Sequence, residues 1–400
     1  MAILADKIYK RNARNVFARA HDAINRDRRY IAEVFDGADE ALAALDAVQG
    51  GLHATGFQTL DWLTLVYEEL ATSQRVTPRV VIVSERNSGD VAIILPLLIE
   101  TKRKLRIAKF PDLGVSLYGG PILGPSILKK PRSIRRAWRA VRNAMRDVDV
   151  IRLERMPDRI GDRDNPLITR SGVAPSRFFA NAIVVQETVD GHFGAHGMNV
   201  HADKPLIDRS ARKQASTQLY RVTQPEDIAR VFAALVEQQG PRKSPNGDKH
   251  LFDKPAIRAF YERLVIDGSD VGLAHLFALV SDGVIVATLL GIVHDCTFTT
   301  LLMSTDGERQ RGVPASRPIV VEAMKYFVAR GVNRFDLGLG EVADKGDLGV
   351  HETPLFDLYV AHNVAAVPGA WLHRTAGRLR RNRYVRNLKA HINALRGVNS

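Results

Sequence analysis

The chain is short of cysteine, of long apolar runs and of acidic residues. Cys296 is the one cysteine in 400 residues, which excludes an internal disulfide framework and cysteine-rich zinc sites and suits a reducing compartment. The longest clean apolar run, Val91 to Ile99, falls far short of a membrane span. Asp6, Lys7, Lys10 and Arg11 interrupt any apolar stretch near the start, so the N-terminus does not read as a secretory leader. Together these absences predict a cytoplasmic protein, at most peripheral to an inner membrane. What is present is globular in character: hydrophobic content is 45% and charged content 25%. The length is comfortable for two domains.

The deficit of acid leaves a formal net charge of +13. The excess is concentrated at the two ends. Lys7, Lys10, Arg11, Arg14, Arg19, Arg26, Arg28 and Arg29 fill the first thirty residues, and Arg374, Arg378, Arg380, Arg381, Arg383, Arg386, Lys389 and Arg396 the last thirty. Apolar residues recur at helical spacing within both, so residues 1–30 and 366–400 are expected to be basic amphipathic helical arms. They read as solvated helices over the ends of the fold, or as a docking surface for an anionic membrane or an acidic partner. No recognisable nucleic-acid module accompanies the charge, so sequence-specific nucleic-acid binding is not expected. His192, His196 and His201 are loosely spaced in a glycine-rich stretch that reads as a linker, and no metal is expected.

The most informative feature is an internal repeat. In the first half, Phe57-Gln58-Thr59-Leu60-Asp61-Trp62 opens a helix to about Leu70. A strand over Arg79 to Glu85, a turn at Asn87-Ser88-Gly89-Asp90, a strand over Val91 to Ile99 and a third around Leu105 to Phe110 follow. A helix over Ser133 to Arg146 and a strand over Val148 to Glu154 close the unit. The second half gives the same order: a helix from Pro255 to Val265, strands Ala274 to Val280, Val284 to Val293 and Thr297 to Met303, a helix Ile319 to Arg330 stopped by Gly331, and a strand Arg334 to Gly338. Gly283 lies 194 positions after Gly89, and Val332 lies 184 after Val148. The order predicts two α/β (α+β) units with mixed sheets. In each, the last strand–helix–strand crossover makes the closing strand parallel to its neighbour. The expected division is an N-terminal domain over 31–190 and a C-terminal domain over 191–365. This architecture is the one expected of the GNAT superfamily.

Four stretches within residues 55 to 360 carry a closer resemblance. They are Phe57 to Trp62; Leu95-Pro96-Leu97 with Phe110 to Gly114 and Tyr118-Gly119-Gly120-Pro121; Leu276 to Leu279 with Asp282-Gly283 and Ala287; and Phe335-Asp336-Leu337-Gly338-Leu339-Gly340 with Lys345. In that order they resemble the cellulose-biosynthesis acetyltransferase proteins (CelD/BcsL type). These are a GNAT branch with the doubled architecture also seen in Fem-type peptidyltransferases. The resemblance implies two tandem GNAT-like acyl-CoA N-acyltransferase domains. It further implies an acetyl-CoA or other acyl-CoA co-substrate, an amine or hydroxyl acceptor and a link to cellulose or exopolysaccharide synthesis. The chain departs from the pattern at Gly120, where an acid is frequent, and at Leu339, where an arginine is frequent. The phosphate loop ends in Pro314, which supplies no amide hydrogen.

Acyl transfer from a thioester needs cationic and amide donors for the phosphates, a donor for the carbonyl oxygen and a proton acceptor for the nucleophile. Arg309, Arg311, Gly312, Val313 and Ala315 precede a helix and are the candidate phosphate site. Asp336 and Glu341 are the candidate bases, although Asp336 also reads as a buried acid bonded to a nearby turn. Gly338 and Lys345 are expected beside the substrate, and Asp61, Trp62, Tyr118 and Gly119 in an acceptor groove between the halves. Trp62 reads more readily as core. His294 beside Asp295 is an unsupported base candidate. Two alternatives stay open: an aminoacyl-tRNA donor, as in Fem-type relatives, and a non-catalytic partner in exopolysaccharide assembly.

Overall fold

The computed structural model describes residues 29–48, 50–126, 130–187, 193–195, 198–199, 218–239, 251–306, 316–339 and 349–363. Residues 1–28 and 366–400 of the expected arms, His192, His196 and His201, the phosphate loop with Arg309 to Ala315, and Glu341 and Lys345 lie outside the described residues, while the stretch expected as a linker carries two short strands, Phe193–Ala195 and Met198–Asn199.

The first repeat runs β1 (Tyr30–Asp36), α1 (Ala38–Asp46), α2 (Leu60–Leu65), β2 (Thr77–Glu85), β3 (Val91–Lys102), β4 (Leu105–Lys109), a short β5 (Ile122–Leu123), α3 (Pro131–Ala144) and β6 (Val150–Pro157). The two-residue strands β7 (Arg159–Ile160) and β8 (Arg163–Asp164) form a separate hairpin. The long strand β9 (Val173–Glu187) follows, with β10 (Phe193–Ala195) and β11 (Met198–Asn199) beside its end. The second repeat runs β12 (Gln218–Val222), α4 (Pro225–Gln238), α5 (Pro255–Asp270), β13 (Ala274–Ser281), β14 (Val284–His294), β15 (Thr297–Thr305), α6 (Ser316–Val328), β16 (Arg334–Leu339) and β17 (His351–Ala361). The order is therefore the same twice, and the mixed α/β fold of two repeated units holds.

Local chemistry explains the element ends. Thr59 caps α2 through its hydroxyl, which accepts from Trp62 N. The helix continues as a π-helical turn over Val66–Ala71. Asp282 and Gly283, both with positive φ, make the hairpin between β13 and β14. Gly331, at φ 84°, ends the α6 segment, and Val332 N returns to Phe327 O. In each repeat the closing strand is parallel to its neighbour, β4 with β6 and β15 with β16, while the hairpins are antiparallel. That is the arrangement a single crossover dictates.

Strands β1, β9, β12 and β17, helices α1 and α4, and the way the sheet is joined are absent from the sequence reading. All main strands join one sheet in the order β1-β2-β3-β4-β6-β17-β9-β16-β15-β14-β13-β12. The strand after each closing strand crosses to the other repeat. β9, from the first, pairs with β16, and β17, from the second, pairs with β6. The two exchanged strands pair with each other in the middle.

Alternation along the strands divides the core. Val80 and Ile82 face a cluster shared by both repeats, which takes in α1, α2, α4 and α5. Val81 and Val83 face the other side of the sheet, where α3 has its own cluster. Helix α6 packs over a third, around Phe277, Phe298, Phe327 and Phe335.

Candidate functional site

The site lies where the repeats meet on the shared face of the sheet. Strands β15 and β16 pair over three positions, ending at Thr299 opposite Asp336, and then part. Just beyond, β16 bulges: its register against β9 shifts between Asp336 and Leu339. Gly338 supplies the positive φ, 88°, that the bulge requires.

Asp336 is buried at 5% exposure. Its Oδ1 accepts a hydrogen bond from the Gly338 amide at 2.8 Å and another from the Tyr118 hydroxyl at 2.7 Å. Tyr118 belongs to the first repeat, so the bond joins the halves. Burial pushes the Asp336 carboxyl up to about 6, against the downward pull of Tyr118, Gly338 and Arg334. Burial and the facing carboxylate hold the Tyr118 phenol well above its ordinary value, so it stays a neutral donor. One residue past the last paired position, the Thr300 hydroxyl is buried with no hydrogen-bond partner among the described residues.

The loop presenting Tyr118 is held from several sides. Gln58 Nε2 donates to Tyr118 O at 3.4 Å, Trp62 Nε1 to Ser116 Oγ at 3.0 Å, and Ser116 Oγ to Pro111 O at 2.9 Å. Phe57 stands edge-on to Trp62 and to Tyr118, and Trp62 edge-on to Phe260 of the second repeat. A Cβ on Gly119 would stand 2.4 Å from the Phe110 ring, so only glycine fits there.

The sequence candidates thus separate. Asp336, Tyr118, Gly119 and Gly338 are brought together. Trp62 is fully buried and packs the junction rather than lining a groove, and Asp61 beside it is exposed on the first turn of α2. His294 ends β14 and faces Asp295 at 3.6 Å. Sequence reasoning passed over Thr300, Ser116 and Arg155. Arg155 has φ 56°, binds Asp112 through its side chain and accepts from Gly119 N at 3.3 Å through its carbonyl. Its signal was slight: one arginine in a strand already rich in charge.

The corresponding place in the first repeat differs. Strands β4 and β6 also part after three pairs, ending at Lys109 opposite Arg152. The space beyond, lined by Phe110, Asp112, Gly119 and Arg155, amounts to about 10 Å³, room for one water at most.

Residues 207–346 match the sequence model of the acetyltransferase (GNAT) domain family. No curated protein matches the chain. Among solved structures, FemX is similar at 12% identity over 80% of this chain and 95% of its own, with a TM-score of 0.48. A tandem GNAT protein from the clavulanic acid biosynthesis pathway is similar at 13% identity over 83% and 99%, TM-score 0.44. The L-PGS of Bacillus licheniformis is similar at 10% identity over 85% and 95%, TM-score 0.46. These likenesses say nothing of this chain's donor or acceptor. The family match covers most of the second repeat, which is similar there to a GNAT acetyltransferase domain. Among the described residues, no helix is long and apolar enough to cross a membrane.

Proposed function

We propose that the chain transfers an acyl group, acetyl in the first instance, from acyl-CoA to an amine or hydroxyl acceptor, and that the second repeat carries the transfer. The observation behind this reading is a coincidence of place. The matched segment 207–346 contains the strands that part beside a buried carboxylate and an unpartnered hydroxyl. The orphan hydroxyl of Thr300 and the glycine bulge at Gly338 fit a thioester lying between the strands. Arg309, Arg311, Gly312, Val313 and Ala315 would hold the CoA phosphates, and Lys345 an anionic group. Asp336 takes the acceptor's proton, with Glu341 as the other candidate, while Tyr118 fixes the Asp336 carboxyl. A saccharide acceptor in cellulose or exopolysaccharide synthesis rests on the sequence resemblance alone. Contact of the basic ends with an anionic membrane or acidic partner rests on their charge and apolar spacing.

A thermal-unfolding titration with acetyl-CoA, free CoA and longer acyl-CoAs tests the donor. A saturating rise that survives moderate salt supports it, because a ligand bound only by the native state raises stability by mass action. No rise with any CoA at millimolar concentration overturns it and turns attention to an aminoacyl-tRNA donor. Turnover with a panel of amines and sugars then names the acceptor.

A further inference from the structure

On the other side of the sheet lies a cavity of about 510 Å³ that the transfer reaction does not use. Helix α3 forms one wall. Arg135, Arg139 and Arg142 recur on it at steps of four and three, and Arg146 follows four residues on. This spacing puts four guanidinium groups on one face. Arg170 and His362 complete the ring, and among the described residues no carboxylate lines the cavity. Like charges at this spacing repel, and nothing in the helix relieves them, because α3 contains no acid.

Two further observations point to a missing partner. Arg170 Nε and Asn143 Nδ2, both lining the cavity, are buried without a hydrogen-bond acceptor among the described residues. Buried donors of this kind are costly unless something accepts from them. Burial and the charge of Arg135 also hold the Arg170 guanidinium below its ordinary pKa. Nor does the adjoining chain supply a counter-charge, since residues 364–400, which begin two positions after His362, contain no aspartate or glutamate.

We infer that this cavity binds a phosphate-bearing ligand of at least two negative charges, such as a diphosphate ester. Guanidinium forks match phosphate oxygens in pairs, and the orphan Arg170 and Asn143 donors add contacts a simple counter-ion would not need. A concave space of this size takes a small molecule or a headgroup rather than a duplex surface. The phosphate can come from a soluble ester or from a lipid headgroup.

The test uses the full chain and inorganic pyrophosphate, with sodium chloride at equal ionic strength as control. Pyrophosphate should raise the unfolding temperature saturably. The double variant Arg139→Gln/Arg142→Gln changes only exposed side chains and should weaken that response roughly tenfold or more. Arg170→Gln should weaken it as well. Arg309→Gln/Arg311→Gln in the candidate CoA loop should leave the pyrophosphate response unchanged, which separates this site from the transfer site. Vesicles containing phosphatidate distinguish the sources. Sedimentation that is lost in the double variant and competed by pyrophosphate assigns a headgroup, and a pyrophosphate response without sedimentation assigns a soluble ester. An equal response in wild type and variants, or none beyond the chloride control, overturns the inference.

Discussion

The closing strands of the two repeats, β6 and β16, each run parallel to a neighbour for three residues and then bulge at a residue with positive φ. In β6 that residue is Arg155, whose amide is bonded by Asp357 Oδ1 of the exchanged strand β17 at 2.9 Å. In β16 it is Gly338, whose amide is bonded by Asp336 two residues earlier. The first bulge spends its charges locally, Arg155 on Asp112 and Lys109 on Glu100 at 2.7 Å, and leaves almost no space. The second keeps one acid, in the core, tied to a phenol from the other half. The same backbone device thus serves packing in one copy and leaves an ionisable group in the other. Asymmetry of that kind supports the proposal that the second copy carries the chemistry.

The comparison breaks most readily at the shared core. Trp62→Ala removes an indole that touches both repeats, and about 3–5 kcal/mol of stability should go with it. Chemical denaturation should register the loss as one transition, and two separated transitions would show that the repeats unfold independently. Asp336→Asn should cut turnover about a hundredfold while leaving the protein folded. It should also flatten a pH dependence of stability. The native carboxyl titrates near 6 against an ordinary 3.8, so its contribution is complete below about pH 4 and is lost as pH rises through 6. The amount is about 3 kcal/mol, read from unfolding at a series of pH values. A variant with normal turnover would make Asp336 a structural tie only.

Gly119→Ala must displace Phe110 and should cost about 1–3 kcal/mol in denaturant unfolding. Tyr118→Phe removes a bond that favours the ionised Asp336, so the acid limb of the pH–rate profile should move to higher pH. An unmoved limb would separate Tyr118 from the chemistry. The smallest effect is expected at Gly338→Ala, about 1 kcal/mol from the positive φ alone. Arg155 already tolerates that backbone in the first copy.

The four repeated strands of each half, the hairpins and both parallel crossovers were legible in the sequence because periodicity and turn residues are local signals, whereas β1, β9, β12 and β17 lay outside the repeated pattern. Asp336 stood out for the same reason, as one acid between apolar neighbours and glycines. The loop Phe110 to Pro121 was legible as a motif but not as a contact, since nothing in its residues says that Tyr118 reaches a strand 218 positions away. The strand exchange was illegible as well. A strand pairs equally well with either closing strand as far as its own pattern goes, and only the geometry of the whole sheet decides. Trp62 shows the opposite failing, because a motif residue beside an exposed acid invites a binding role while its ring lies at 0% exposure.

The exchanged strands also set a timetable for synthesis. When β6 leaves the ribosome, the strand that covers its edge is still some two hundred codons away, at residues 351–361. The first half must wait with an open, apolar-flanked edge through the whole translation of the second, the condition under which nascent chains meet chaperones or one another. Two copies of this chain made side by side therefore have a ready route to each other: the late β17 of one can fill the waiting β6 of its neighbour.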